Sequence, residues 1–137
     1  MAGYIGPIEK QTEKNEYFRQ VLFTGKYCQL VVMCLQPGEE IGNEVHPNVD
    51  QFFRIEVGSA KFVFNGKEEH LVKAGDAVVV PAGTFHNVIN AEETKKLKLY
   101  TCLLYTSDAA DDLLCVDLGG RRIIKKNKNK KSSTRQI

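Results

Sequence analysis

Glu44 and His46 are separated by one residue. On an extended chain, side chains two positions apart project to the same face, about 7 Å apart along the strand. A carboxylate and an imidazole with that spacing can chelate a metal ion. Pro47-Asn48 follows, and the proline fixes the direction of the connection so that the next run, opening at Gln51, returns alongside. Further on, Pro81 would end the apolar run Ala77 to Val80, and Gly83 would allow a tight turn immediately before His86. These four donor-bearing residues, Glu44, His46, Gln51 and His86, are where chemistry could be built. The plainer reading of His46 and His86, as hydrogen-bonded interior histidines of a metal-free fold, stands beside the metal-binding one.

The elements that must position them read as β-structure. Runs of β character cover Tyr17 to Phe23, Tyr27 to Leu35, Gln51 to Val57, Ser59 to Asn65, Glu68 to Val72, Ala77 to Val80, Thr84 to Ile89 and Leu97 to Tyr100. Turn chemistry separates them at Thr24-Gly25-Lys26, Pro37-Gly38, Gly58, Asn65-Gly66, Ala74-Gly75-Asp76 and Pro81-Ala82-Gly83. Asn65-Gly66 is the strongest hairpin signal, because both residues tolerate positive φ. Many short strands at short spacing predict a closed or sandwiched all-β fold. Residues 1–14, polar with Gly3, Gly6 and Pro7, read as an extended lead-in rather than a helix. No helix of amphipathic period is expected before residue 102.

Two blocks, Gly38 to Gly58 and Gly75 to Asn90, resemble the paired motifs of the cupin superfamily, G-x5-H-x-H-x3,4-E-x6-G and G-x5-P-x-G-x2-H-x3-N. The second matches at Gly75, Pro81, Gly83, His86 and Asn90. The first matches at Gly38, His46 and Gly58, with Glu44 in place of the usual first histidine and Gln51 in place of the usual glutamate. The chain is therefore similar to small single-domain cupins of the cupin 2 type, which implies a double-stranded β-helix, or jelly-roll, barrel. The resemblance also implies that Glu44, His46, Gln51 and His86 meet at one divalent transition metal, and that the protein pairs as a homodimer. The usual cupin set of three imidazoles and a carboxylate leaves a divalent ion at a formal +1. Two imidazoles, one amide and one carboxylate leave the same charge, so the carboxylate has moved rather than vanished. Mixed nitrogen and oxygen donors without thiolate suit Mn, Fe, Zn, Ni or Co.

Composition bounds the partners. The 137 residues, 42% hydrophobic, suffice for one domain with its own core. The formal charge of +2 divides unevenly: residues 1–101 hold 11 Lys/Arg against 13 Asp/Glu, and residues 102–137 hold 8 against 4. A mildly acidic body argues against nucleic acid as a partner. The absence of a long apolar run or an export-like start argues against a membrane and for the cytoplasm. Four cysteines without metal-ligand spacing fit a reducing compartment, with Cys28 and Cys34 expected on one strand face as packing residues. The barrel is expected to span 1–101. The remainder, 102–137, reads as a disordered tail, and LLYTSDAADDLLCVDLGGRRIIKK resembles translated sequencing-adapter read-through.

Functionally, the resemblance implies a metal-dependent enzyme acting on a small oxygenated metabolite, by sugar or sugar-phosphate isomerisation or by dioxygenation. The alternative is a non-catalytic cupin module that binds a small ligand or a metal. With Glu44 and the histidines engaged as ligands, no obvious general base remains, which leaves Tyr100 or a metal-bound hydroxide as the candidates. Phe53 and Ile55, sharing the Gln51 face, are candidate pocket walls, and Phe85 and Val88 are secondary candidates. Asn90 is expected to satisfy turn backbone, and His70 to lie on the surface. Arg54 and Glu56 are expected in solvent or at a subunit contact.

Overall fold

The computed structural model describes residues 2–105; the expectations for the rest of the tail fall outside them. Eight strands follow one short helix: α1 (Ile8–Lys14), β1 (Arg19–Thr24), β2 (Cys28–Leu35), β3 (Val49–Val57), β4 (Ser59–Phe64), β5 (Glu68–Lys73), β6 (Ala77–Val80), β7 (His86–Asn90) and β8 (Leu97–Tyr105). They form an antiparallel five-stranded sheet ordered β1-β2-β8-β3-β6 and a three-stranded sheet ordered β5-β4-β7. Segment 40–44 extends the smaller sheet through bridges from Glu40 to Ile89 and from Glu44 to His86. The fold is the all-β, two-sheet jelly roll expected.

Alternation decides which residues face inward. Along β3, Val49, Gln51, Phe53 and Ile55 are buried, and along β7, His86, Val88 and Asn90 are. The inward apolar residues of both sheets meet in one core containing Val31, Leu35, Phe53, Ile55, Phe62, Val88, Leu97 and Leu99. Phe53 and Phe62 pack edge to face with centroids 5.0 Å apart. The Asn65-Gly66 turn adopts φ of 54° and 78°, the primed geometry that its residue types favour.

The lead-in is not extended. Ile8–Lys14 is helical, directly after Pro7, and it packs on the outer side of the five-stranded sheet against β2, β3 and β8. Seven residues are too few to show an amphipathic period, so tertiary contacts decide the conformation. Thr12 is fully buried. Lys98, from β8, donates to the Glu13 carbonyl at 2.5 Å and pairs with Glu16 at 3.0 Å. The same packing takes Glu56 out of solvent, contrary to its expected place: its side chain is 7% exposed and 3.7 Å from Arg54. Burial raises the Glu56 carboxyl above its ordinary range, Arg54 opposing.

β8 runs to Tyr105, four residues past the boundary expected at residue 101, and pairs over its length with both β2 and β3. Cys28 and Cys34 do share the outer face of β2, Cys34 buried, Cys28 half-buried and both unpaired.

Gly58 makes the corner between β3 and β4, which belong to different sheets. Its φ is +90°, and a Cβ there would lie 2.7 Å from the Lys96 carbonyl oxygen. Gly66 has a similar φ of +78° but open space around it. Gly58→Ala is therefore expected to cost roughly 2 kcal/mol of folding stability, and visibly more than Gly66→Ala, in urea denaturation. Equal losses would show that the close approach contributes nothing.

Candidate metal centre

Two strands, β3 and β7, and the segment connecting β2 to β3 bring the site residues together. Glu44 exchanges two backbone hydrogen bonds with His86, each 2.8 Å, which fixes the approach of segment 40–46 to β7. His46 is held through its own carbonyl, which accepts from Gly83 N–H at 2.9 Å. Asp50 accepts from Ala82 N–H at 2.7 Å, tying the start of β3 to the Pro81-Gly83 turn. One donor atom each from Glu44, His46 and His86 lies within 4.8 Å of the other two. Gln51 joins them, its Oε1 3.1 Å from His86 Nε2. All four residues singled out in the sequence thus converge at one place between the sheets.

Hydrogen bonding orients these groups. The Thr101 hydroxyl donates to the Phe52 carbonyl at 2.9 Å, and so it accepts from the Gln51 amide nitrogen, also at 2.9 Å. The Gln51 oxygen must then point at His86. His86 in turn has Nδ1 3.1 Å from the Thr84 carbonyl. Burial holds the His86 imidazole below its ordinary value, with the Thr84 contact and the Glu44 charge opposing and His46 adding to the shift. A neutral imidazole has one N–H, yet His86 faces two acceptor oxygens. Its one accepting lone pair therefore meets an oxygen with no proton between them.

His46 presents a second imbalance. It is 7% exposed, and neither ring nitrogen has a hydrogen-bond partner. Its Nε2 is 3.5 Å from Glu44 Oε1, with no hydrogen bond between them. The two rings are tilted at 43° with centroids 5.7 Å apart. Buried donors and acceptors left unmatched cost free energy, commonly about 1–3 kcal/mol each. A shared cation at the convergence point would satisfy the His46 nitrogen, the His86 lone pair and the Gln51 oxygen together. The donor set therefore fits a divalent transition metal.

The surrounding residues divide. Phe53 stands edge-on to His86 at 6.0 Å and walls the site from the core side. Ile55 is sealed in the core at 0% exposure, as is Val88, and Phe85 is 48% exposed. Tyr100 is not a candidate base: its register opposite Val32 and Arg54 turns it to the outer face, against Phe52. Asn90 is structural, donating to the carbonyls of Leu35, Gln36 and Lys95 while accepting from Glu92 N–H. His70 is on the surface, 2.7 Å from Glu68. Thr101 is the residue that sequence reasoning missed. Only its pairing with Phe53 across β3 and β8 reveals it.

The profile of the Cupin_2 family, the cupin domain, matches residues 31–103, from β2 to β8. The chain belongs to this cupin family. Among curated proteins it is similar to the uncharacterised protein L612 of Acanthamoeba polyphaga mimivirus, 44% identical over 101 residues, covering 72% of this chain and 62% of that one. It is also similar to the uncharacterised protein YrkC of Bacillus subtilis (strain 168), 47% identical over 103 residues, covering 72% and 55%. The match thus spans less than two thirds of either curated relative. Among solved structures, BH2720 of Bacillus halodurans superposes with a TM-score of 0.72 at 37% identity, over 75% of this cupin and 81% of that chain.

The depressed His86 value has a consequence for the metal-free cupin. As pH falls, the unfolded chain takes up the His86 proton before the folded one does. The contribution to stability is therefore complete above the ordinary 6.5 and is lost progressively below it, toward the lower folded value. Chelator-treated protein is expected to lose more stability between about pH 7.5 and about pH 5.5 than a His86→Gln variant does. Parallel urea titrations of the two proteins measure the difference, and equal losses would exclude a neutral, buried His86.

Proposed function

We propose that this cupin is a metal-dependent enzyme acting on a small oxygenated metabolite, with Glu44, His46, Gln51 and His86 as the ligands of one divalent transition metal, Mn, Fe, Zn, Ni or Co. The observation that carries the reading is the mismatch at the site: a neutral His86 facing two acceptors beside a His46 whose ring nitrogens are unbonded. Bound there, such a metal supplies Lewis-acid polarisation of a carbonyl or hydroxyl oxygen.

The chain's own residues set the terms of that chemistry. Glu44 is the one carboxylate of the set and is 21% exposed, so the site opens on its side. Gln51 offers a neutral oxygen, a weaker ligand than the carboxylate that cupins usually place there. Thr101 holds that oxygen in position, and Phe53 keeps water from the core side of His86. Isomerisation of a hydroxy-carbonyl compound and dioxygenation are both compatible with an open, oxygen-binding site. Residence in the cytoplasm and a homodimer belong to the same reading. The dimer is supported by Val79 and Leu104, 58% and 44% exposed on the outer face of the larger sheet. Among the described residues no helix is long and apolar enough to cross a membrane.

Metal analysis of the purified full chain tests the assignment. The double variant His46→Ala/His86→Ala is expected to lose bound metal, and unchanged content by mass spectrometry would refute the ligand set. Thr101→Val is expected to lower metal affinity about tenfold, as loss of a partner that orients a ligand commonly does. Turnover of some member of a panel of sugars, keto acids and phenolics, assayed with and without air and absent from the double variant, is the expected activity. Full metal occupancy without turnover would favour a binding module instead.

A further inference from the structure

Beyond the metal-site layer, the inward face of the larger sheet changes character. Val49 and Leu103 form a second small apolar cluster, with Tyr105 packed against it. It is separated from the main core by the polar belt of His46, Gln51, His86 and Thr101. Gln29 is in the same layer, directly opposite Leu103, which is itself opposite Gln51. Into this layer reaches one cation. Arg19 is opposite Met33, an inward position on the edge strand β1. From there its guanidinium runs along the sheet, where Nη2 donates to Gln29 Oε1 at 3.1 Å. Gln29 is buttressed in turn by donating to Thr24 Oγ1 at 3.1 Å.

Among the described residues, Arg19 is the one Lys or Arg at an inward position of β1, β2, β3 or β8; Arg54 and Lys98 point to the outer face. Arg19 is exposed, so its guanidinium meets this layer from the solvent side. Burial pushes the Tyr105 phenol up to about 12, so it remains a neutral hydroxyl. One bond to Gln29 uses only part of a five-donor fork whose planar geometry matches a carboxylate.

We infer that Arg19 is the anion anchor of this pocket, and that the small molecule the pocket takes carries a carboxylate. Its carboxylate pairs with the guanidinium, its short apolar body rests on Val49 and Leu103, and its remaining oxygen faces the layer of Glu44, His46, Gln51 and His86. A carboxylate rather than a phosphate follows from the walls. Arg19 is the one inward cation on these strands, and no second one is there to meet a dianion. The inference rests on the proposed reading of this site as a small-molecule pocket, and it adds the substrate class.

Calorimetric titration of the full-length, metal-loaded protein tests it with lactate, pyruvate and glycolate. Lactamide serves as the uncharged match to lactate, and inorganic phosphate as the competing oxyanion. At least one of the acids is expected to bind, with lactate favoured over lactamide. Arg19→Gln should weaken acid binding about tenfold or more while leaving lactamide, metal content and melting temperature unchanged, and Arg19→Lys should recover part of the loss. No binding by any of the acids, equal binding of lactate and lactamide, or an Arg19→Gln variant that binds the acids as before would each overturn the anchor. Phosphate binding more tightly than the acids, with the same Arg19 dependence, would overturn the carboxylate assignment. Metal content is read separately. A protein that holds no metal yet binds an acid through Arg19 defeats the metal reading and leaves the anchor standing.

Discussion

The Gln51 amide can point only one way. The Thr101 hydroxyl spends its proton on the Phe52 carbonyl, so it accepts from the amide nitrogen, and the amide oxygen is left to meet His86. This short relay crosses from β8 to β3 and then between the sheets, and the arrangement of the polar belt depends on it. Reversing the amide would set its nitrogen against His86 and its oxygen against a hydroxyl with no proton to give. Inside a protein such errors are expensive, because no water is at hand to correct them.

On one side of this belt is a dry floor of aliphatic and aromatic side chains, with Phe53 and Phe62 among its largest members. On the other is a shallow layer with one arginine. The floor supplies most of the burial that holds two sheets together. It also lowers the dielectric around His86, which keeps the ring neutral and ready to act as a ligand. Stability and site chemistry therefore draw on the same apolar residues. The outer face of the larger sheet is handled differently. There α1 is clamped by Lys98, with Glu56 against Arg54 beneath it, so charge is neutralised locally rather than excluded.

What was legible in the sequence was whatever depends on spacing along the chain. The strand pattern, the Asn65-Gly66 turn and the convergence of Glu44, His46, Gln51 and His86 could all be read, because glycines and prolines punctuate them at fixed offsets. What was not legible depends on register between distant segments. Thr101 looks like any polar strand residue until it is set opposite Phe53, and Tyr100 looks available until β8 turns it outward. The helix at Ile8–Lys14 escaped for a related reason, since its conformation is decided by Lys98, more than eighty residues away. Arg19 escaped because the sequence does not show which way an edge-strand arginine runs, and only its partner Gln29 does.

β8 is the last described strand in the chain and yet lies at the centre of the larger sheet, between β2 and β3. Until it is inserted, β1 with β2 and β3 with β6 are separate two-stranded ribbons, each with an open flank of unpaired amides. Non-local pairing of this kind carries a high loop-closure cost and slows folding. During synthesis the chain must therefore wait for residues 97–105 to emerge before the sheet can zip. Both flanks remain open to wrong partners during that interval. Assembly order is thereby built into the strand order: the residue that aligns the Gln51 amide arrives only with the strand that completes the sheet.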